Sequence, residues 1–565
     1  MSDYLVHLNQ DQINVLEECL LKDYTNVRGC GLNLPLGFGK SRLSIIISLL
    51  MIESRDISID QNCKILIVCK KPLLANWCAE IEKVFGDSIK YYVYHSEYNK
   101  QKITNIEQLD KYQIILTTTD VIAKIYKDEE LEDLLITRRI EHREYLQSVV
   151  LDYSINPVPL NIKSFIYNTM WSSLIVDEFP LISNIETDRL RGLLLTPSIR
   201  RWALSGTFFD EPKPENILSY YLFIQDRFFP NNIPGCKKFI TSDEFGGVSS
   251  SLVIRDKKAD EFEITIKSEM IIFTPEEEKI YKTIRDFILE LAQMVKEYHA
   301  NRDIYNMKKF RGHLMGMLSA LRQCIVCPLM PITSIIIDAC NFQNRNQLSQ
   351  QISNKFSNLG INDYLNNEDN IVSSRFKKLL EIAENHKKII MFSAFRTTIK
   401  MLMYIFQKYT NRTVLTLNPK ESNKAKKAVW DLCENSDEFI LILTYQIGSV
   451  GLNMQFADTV VLVDYDWKKT TTTQAISRVA RQGQLNNVNI YFLLSNTGIE
   501  DAIFKKQIDK DKISTELLTG KIQTKISSIK ISEIITILAS ETLYTKFNTL
   551  YLEDMDYEDD EDDDL

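Results

Sequence analysis

The chain has no apolar run that approaches the roughly eighteen residues that a membrane-spanning helix requires. Its first residues, MSDYLVHLNQDQ, contain neither a basic region nor an apolar core, which argues against a secretory signal peptide. The 10 cysteines follow no framework spacing, as expected for a reducing compartment. Together these absences predict an intracellular protein without a membrane partner.

The chain is also poor in histidine, with 6 such residues, and Cys324 and Cys327 are its one close cysteine pair. A zinc site needs a second such pair or a histidine cluster, whereas the nearest histidine is His313. We therefore expect no zinc site, and we expect both cysteines to be reduced and half-buried on a helix.

Acidic charge is concentrated in the last thirteen residues, 553–565, which carry ten acidic side chains and no basic ones. Because the formal net charge of the whole chain is −9, the rest of the chain has a charge of +1. A near-neutral body is compatible with a nucleic-acid partner, and so dense a run of like charges predicts a disordered tail.

The 565 residues are enough for roughly three or four domains. Short β-branched runs alternate with helical stretches in two regions, which predicts an α/β fold with two parallel-sheet lobes. The predicted segments are a first lobe over 1–225, a helical insertion over 226–340, a linker over 341–372, a second lobe over 373–505, a helical extension over 506–552 and the acidic tail over 553–565.

A glycine-rich turn occurs early in the first lobe, where LPLGFGKSRLS places Gly37 and Gly39 before Lys40 and Ser41. Glycines let successive backbone N–H groups point inward, and a lysine at a helix start adds positive charge, so the turn suits a phosphate. The Ser41 hydroxyl suits magnesium. Because Leu34 stands where the strict phosphate-loop pattern has glycine, the turn alone does not decide between a phosphate site and an ordinary loop.

Two further clusters carry charge at the ends of predicted elements. Asp177 and Glu178 follow the apolar run LIV, where one carboxylate can hold a hydrated metal while the other reaches an attacking water. The alternative interpretation is that these two residues form an ordinary acidic turn after a strand, without a catalytic role. In the second lobe, QAISRVARQGQ places Arg478 and Arg481 on one face of a predicted helix. Such arginines are either solvated or aimed at a transferred phosphoryl group.

Taken in order, these stretches resemble the motifs of helicase superfamily two and, within it, the SWI/SNF-like family of double-stranded DNA translocases. The resemblance covers most of residues 8–505. The stretches that carry it are LNQDQINVLEECL, NLPLGFGKS, IVCKKPLLANWCAEIEKVF, LTTTDVI, IVDEFPLISN, ALSGT, LRQCIVCPLM, LILTYQIGSVGLNMQFADTVVLVDYDW and QAISRVARQGQ. The chain also resembles the nucleoside triphosphatase I type of poxviruses and related large DNA viruses.

The resemblance implies two RecA-like lobes that bind ATP and Mg²⁺. The implied catalytic residues are Lys40, Asp177, Glu178, Arg478 and Arg481, with Ser41 and Asp177 as metal ligands. The implied nucleotide contacts are Gln12, which would read adenine, and Gly37, Gly39, Lys40, Ser41, Gly451 and Gln474. The implied coupling and nucleic-acid contacts are Ser205, Gly206, Thr207, Thr118, Thr119, Ser393, Thr444 and Gly448.

The implied activity is ATP hydrolysis coupled to movement along duplex DNA, in transcription or DNA maintenance, with an RNA polymerase or another DNA-bound protein as a further partner. A strand-separating DNA or RNA helicase and a non-catalytic scaffold remain alternatives. The chain departs from the family pattern at Pro180, Ala480 and Lys468–Lys469, which bears on coupling to DNA more than on ATP turnover. Nucleus, cytoplasmic virus factory and virion all remain open as locations.

Overall fold

The structure, a computed structural model, divides the chain into two compact units. One unit comprises residues 1–258 and 510–528, and the other comprises residues 259–509 and 529–565. The residues that the structure describes are 8–23, 29–35, 37–53, 64–98, 103, 106–128, 164–209, 213–226, 229–230, 232–242, 245–255, 262–331, 354, 368–418, 421, 423–448, 453–481, 484–495, 497–519 and 531–539.

The first unit is built on a parallel sheet. Its strands are β1 (Gly29–Asn33), β2 (Ile65–Cys69), β3 (Tyr91–Val93), β4 (Ile114–Thr118), β5 (Trp171–Asp177), β6 (Ser198–Ser205) and β7 (Leu252–Ile254). They lie in the order β3-β4-β2-β5-β6-β1-β7. The helices of this unit are α1 (Gln10–Asp23), α2 (Lys40–Glu53), α3 (Leu74–Phe85), α4 (Thr119–Asp128), α5 (Phe165–Asn168), α6 (Asp188–Leu195), α7 (Pro214–Phe223) and α8 (Ile233–Ile240).

Strand β2 shows why these segments form a sheet that is covered on both faces. All five of its residues are buried. Leu66 and Val68 pack into one hydrophobic cluster, while Ile65, Ile67 and Cys69 pack into another. Alternate side chains of a strand point to opposite faces, so a continuous β-branched run is stable only between two layers of helices. The predicted α/β fold is therefore confirmed for this lobe.

The second unit has a six-stranded parallel sheet. Its strands are β8 (Ile264–Ile271), β9 (Lys388–Ser393), β10 (Val414–Thr416), β11 (Phe439–Thr444), β12 (Thr459–Leu462) and β13 (Val488–Ser495). They lie in the order β10-β11-β9-β12-β13-β8. The helices are α9 (Pro275–Ala300), α10 (Ile304–Cys324), α11 (Ser374–Asn385), α12 (Arg396–Tyr409), α13 (Asn423–Asn435), α14 (Tyr445–Gly448), α15 (Lys469–Ile476), α16 (Gly498–Thr519) and α17 (Ile531–Ala539).

The segment 226–340, predicted as one helical insertion, is divided between the two sheets. Strand β7 pairs with β1 at one edge of the first sheet, and β8 pairs with β13 at one edge of the second. Only α9 and α10 form the expected long helices. The first four residues of β8, ITIK, alternate apolar and polar side chains, which is typical of an edge strand with one covered face. The helical prediction is thus wrong at Leu252–Ile254 and Ile264–Ile271, where the segment contributes one strand to each sheet.

Local sequence defines the start of α9. The Thr274 side chain accepts from the backbone N–H of Glu277, and the Glu277 carboxylate accepts from the backbone N–H of Thr274 at 2.9 Å. This capping box satisfies backbone donors that a helix start leaves open.

In the described ranges, no helix is long and apolar enough to cross a membrane. Most of the predicted linker, parts of the predicted extension and the whole acidic tail lie outside the described residues.

A buried ion pair joins α11 to α16. Arg375 and Glu500 are both 0% exposed, and their side chains lie 2.9 Å apart. Arg375 also donates to the Val463 carbonyl at 2.7 Å, while Glu500 accepts from the backbone N–H of Ser495 at 2.6 Å. The Ser495 hydroxyl also donates to Glu500. Because Val463 and Ser495 lie at the ends of β12 and β13, the pair fixes two helices to the same edge of the second sheet.

Replacing only one partner of this pair should be costly, since the other charge would stay buried. We expect Arg375→Leu to lower the free energy of unfolding by about 3–5 kcal/mol, and Arg375→Leu with Glu500→Leu to recover much of that loss. Lys378→Leu, in the same helix but in partly exposed pairs with Glu381 and Glu269, should cost less than about 1 kcal/mol. Urea unfolding of the whole chain measures all three. A small loss for Arg375→Leu would contradict the expectation.

Candidate functional site

The glycine-rich turn leaves the carboxyl end of β1 and leads into α2. Its first backbone N–H, that of Leu34, donates to the Ser205 carbonyl at 3.1 Å, which ties the turn to β6. Gly37 and Gly39 have φ values of 87° and 86°, in the left-handed region that favours glycine. A Cβ on Gly39 would also lie only 2.6 Å from Nε2 of Gln12. Both the backbone and the close approach therefore require glycine at position 39.

Lys40 is the first residue of α2, and its side chain reaches back over the turn. Its Nζ donates to the carbonyl oxygens of Leu34 at 2.7 Å and of Pro35 at 3.1 Å. Ser41 follows in the first helical turn and is partly exposed. The ammonium group and the helix N-terminus create positive potential at the same place. This end of the turn is therefore suited to an anion that would replace the two carbonyls as acceptors for Lys40.

Gln12, in α1, is held against the same turn. Its Nε2 donates to the Phe38 carbonyl at 2.7 Å, and its Oε1 accepts from the backbone N–H of Asn9 at 3.1 Å. These two bonds fix the orientation of the amide. The structure thus places Gln12 beside the predicted phosphate turn, and its contact with adenine stays a prediction.

The carboxylate pair lies at the same edge of the sheet. Asp177 ends β5 and pairs with Leu204 of β6, while Asn33 ends β1 and pairs with Ser205. The three strand ends are therefore within one residue of each other in register. In open parallel sheets, ligands bind at the carboxyl ends of strands, so the turn and the carboxylates share the edge where a ligand is expected.

Glu178 has a backbone conformation that is uncommon for a residue other than glycine. Its φ of 52° and ψ of 50° are left-handed, and the chain then enters a short 3₁₀ turn, Phe179–Ile182. This conformation costs about 1–2 kcal/mol for a residue with a Cβ. Such strain is found preferentially at functional sites. Here it ends the strand at Asp177 and holds Glu178 at the sheet edge.

Asp177 is bound by a side chain from α3. The indole Nε1–H of Trp77 donates to Oδ2 of Asp177 at 2.8 Å. Cys69, at the end of the neighbouring strand β2, is also close by. Burial, and after it the charge of Asp177, raises the pKa of Cys69 well above its usual value. Cys69 is therefore a neutral thiol and is unsuited to act as a nucleophile.

Ser41 and Asp177 fit magnesium and do not fit zinc. No group of three or more His, Cys, Asp and Glu side chains within the described residues could hold a metal by itself. Magnesium is commonly held by one or two protein oxygens together with substrate phosphates and waters, which matches a hydroxyl and a carboxylate beside a phosphate-type turn. Cys324 and Cys327 are free and fully buried, more deeply than the sequence predicts.

In the second unit, Arg478 and Arg481 lie in the turn that follows α15. The prediction that they share a helix face is therefore wrong. Two glutamine side chains donate hydrogen bonds to carbonyls of this turn. Gln484 donates to the Val479 carbonyl at 3.2 Å, and Gln455 donates to the Arg481 carbonyl at 3.1 Å. Side chains that bond the backbone in this way compete with a further helical turn. Arg478 is 7% exposed, and Arg481 is partly exposed.

The hydroxyl groups predicted to contact nucleic acid are buried, with exposures of 1% for Thr118, 5% for Thr119, 0% for Ser393 and 6% for Thr444. Three of them accept from backbone N–H groups just after a strand end: Thr118 from Val121 at 3.3 Å, Ser393 from Phe395 at 3.1 Å and Thr444 from Ile447 at 3.4 Å. In the structure these three hydroxyls cap the turns that follow strands, and their contact with nucleic acid stays a prediction.

The other predicted residues are spread over both units. The Ser205 hydroxyl is buried and accepts from the Thr207 backbone N–H at 3.0 Å, and Gly206 lies between them in the turn after β6. Gln474 lies in α15, and Gly448 ends α14. Gly451 lies outside the described residues. The sequence does not indicate the left-handed backbone conformation of Glu178. Trp77 lies in one of the segments that carry the family resemblance, but the sequence alone assigns it no role.

Comparison with known proteins shows which families the two parts of the chain match. The SNF2-related domain family matches residues 11–330, and the helicase conserved C-terminal domain family matches residues 374–483. The chain is 25% identical over 477 residues to Protein CHROMATIN REMODELING 24 of Arabidopsis thaliana, which covers 79% of this chain and 41% of that protein. It is 23% identical over 561 residues to Putative helicase 172L of Invertebrate iridescent virus 6, with 88% and 86% covered.

Among solved structures, the Hef helicase domain of Pyrococcus furiosus is similar in fold, with a TM-score of 0.51, 15% identity, and coverage of 89% of this chain and 98% of that one. The chain spans less than half the length of the chromatin-remodelling relatives that it matches. The SNF2-related match nevertheless covers more than half of the chain. The protein therefore belongs to the SNF2-related family of helicase-superfamily ATPases, with a helicase C-terminal domain in its second half.

Proposed function

We propose that this protein is an ATP-dependent motor that moves along duplex DNA. One observation carries the proposal: the glycine turn with Lys40 and the Asp177–Glu178 pair lie at the same carboxyl edge of one parallel sheet. A nucleoside triphosphate needs donors for its phosphates, oxygens for its magnesium and a group that orients the attacking water. This edge provides all three kinds of group.

The first unit binds the nucleotide. Lys40 exchanges the Leu34 and Pro35 carbonyls for β- and γ-phosphate oxygens, and it does so where the α2 dipole adds to its charge. Ser41 and Asp177 hold the magnesium ion. When bound, magnesium neutralises phosphate charge and favours attack at the γ-phosphorus.

Glu178 orients the attacking water, because it follows the metal-binding carboxylate directly and its backbone is fixed at the strand end. Arg478 and Arg481 come from the second unit and stabilise the charge that spreads over the transferred phosphoryl group.

The relatives support DNA as the track, since the Arabidopsis relative is named for chromatin remodelling. The contacts of Thr118, Ser393 and Thr444 with DNA stay predictions, since their hydroxyls cap turns in the structure. Hydroxyls, backbone N–H groups and cations bind phosphates without reading bases. DNA binding should therefore be independent of sequence and should weaken as salt rises. Transcription and DNA maintenance are the processes that would use such a motor.

The proposal is tested by measuring ATP hydrolysis without nucleic acid and with duplex DNA, single-stranded DNA or RNA. We expect duplex DNA to give the strongest stimulation, and we expect the motor to displace the third strand of a DNA triplex without separating the duplex. Lys40→Ala should abolish hydrolysis, while Lys83→Ala, an exposed lysine in α3, should not. Stimulation by single strands or RNA alone would indicate a strand-separating helicase, and absent hydrolysis would indicate a scaffold.

Glu178→Gln should bind ATP with near-normal affinity but should not turn it over, because the amide cannot activate water while Asp177 still holds magnesium. Binding of a fluorescent ATP analogue and steady-state hydrolysis measure the two effects separately. Glu186→Gln, at an exposed glutamate of the same segment, is the matched control and should behave as wild type. Appreciable turnover by Glu178→Gln would remove this role from Glu178.

Arg481→Ala should lower kcat by a factor on the order of 10³ and change the affinity for ATP little, because a charge that forms only in the transition state would lose its partner. Arg311→Ala, in an exposed position of α10, is the control. A variant of Arg481 with near-normal kcat and a raised KM would show that this residue binds the ground state.

A further inference from the structure

The hydrogen bond between Trp77 and Asp177 joins an element outside the phosphate turn to the metal-binding carboxylate. Trp77 lies in α3, its side chain is 2% exposed, and it packs in the hydrophobic cluster that contains Leu74 and Ile81. Its Nε1 lies 2.8 Å from Oδ2 of Asp177. An indole N–H can only donate, so this contact always presents a donor to the carboxylate.

The position of this donor is fixed more strongly than that of the acceptor. The buried indole cannot turn without disturbing the core, whereas a carboxylate at a strand end can rotate about its last torsion angle. The N–H therefore selects one orientation of the Asp177 carboxylate and engages one of its two oxygens. Groups that orient a metal ligand in this way commonly change metal affinity or activity by 10–100-fold when they are removed.

We propose that Trp77 is a positioning residue for nucleotide-bound magnesium and acts by fixing the carboxylate of Asp177. The inference rests on the proposed ATPase function, in which Asp177 holds that ion. Trp77 touches neither nucleotide nor metal in this role. We expect its effect to be specific to the metal, because its indole N–H donates to the Asp177 carboxylate.

Trp202 gives a matched control within the same unit. It lies in β6 and is 0% exposed, as deeply buried as Trp77. Its indole Nε1 has no hydrogen-bond partner within the described residues. Trp77→Phe and Trp202→Phe therefore both replace a buried indole by a smaller ring, but only the first removes a hydrogen bond to Asp177.

The test measures binding of a fluorescent ADP analogue to the full chain, in EDTA and across a magnesium titration, together with the melting temperature of each variant. For Trp77→Phe we expect the magnesium concentration at half-saturation to rise about 10-fold or more, while affinity in EDTA stays at the wild-type value. The kcat at saturating magnesium should largely recover. Trp202→Phe should titrate as wild type does, even if its melting temperature falls as far.

Four results would overturn the inference. Trp77→Phe could titrate as Trp202→Phe does, or it could lose affinity equally with and without magnesium, which would show a packing role. If wild type itself shows no magnesium-dependent nucleotide binding, the proposed function fails and the inference fails with it. Should Trp77→Phe not fold, replacement of Trp77 by 3-benzothienylalanine keeps the ring shape and substitutes sulfur for the N–H. That variant should show the same rise in the magnesium concentration at half-saturation. If instead it titrates with magnesium as wild type does, the inference is overturned.

Discussion

The parallel register of β1, β6, β5 and β2 is the constraint on which the candidate site depends. Asn33 lies opposite Ser205, Asp177 lies opposite Leu204, and Val68 of β2 lies opposite the residue before Asp177. Because parallel strands end at one edge, this register brings the glycine turn, the carboxylates and the start of α3 together. A slip of one residue would move every side chain of β5 to the opposite face and would dismantle the site.

The central strands could be predicted from the sequence because they are buried on both faces. Runs such as ILIVC in β2 and FILILT in β11 are almost wholly apolar, and at least half of their residues are β-branched. Strands β1, β3 and β7 could not. Strands β3 and β7 have three residues each, and β1 has the sequence GCGLN with two glycines. Strand β1 forms because β6 and β7 pair with it on both sides, which a local pattern does not encode.

The candidate site shows the same division. Residue types in family order identify Lys40 and Asp177, since their chemistry is local to a turn and a strand end. The hydrogen bonds that fix the surroundings of these residues join positions far apart in the sequence. Gln455 lies 26 residues from Arg481, whose carbonyl it bonds, and Trp77 lies 100 residues from Asp177. Periodicity in a window of ten to eighteen residues cannot detect such pairs, so the end of α15 and the fixed orientation of Asp177 could not be predicted.

An aspartate lies at the carboxyl end of a strand in both units, but its surroundings differ between them. In the second unit, Asp464 is 1% exposed, accepts from the backbone N–H of Ala394 at 2.7 Å and accepts from the Ser393 hydroxyl. Burial raises the pKa of Asp464, although these donors and nearby arginines oppose the shift. In the first unit, Asp177 is only partly buried and receives a donor from Trp77. Asp464 therefore uses its oxygens for hydrogen bonds within the second unit, whereas Asp177 stays suited to a cation. For this reason the proposed hydrolysis chemistry belongs to the first unit.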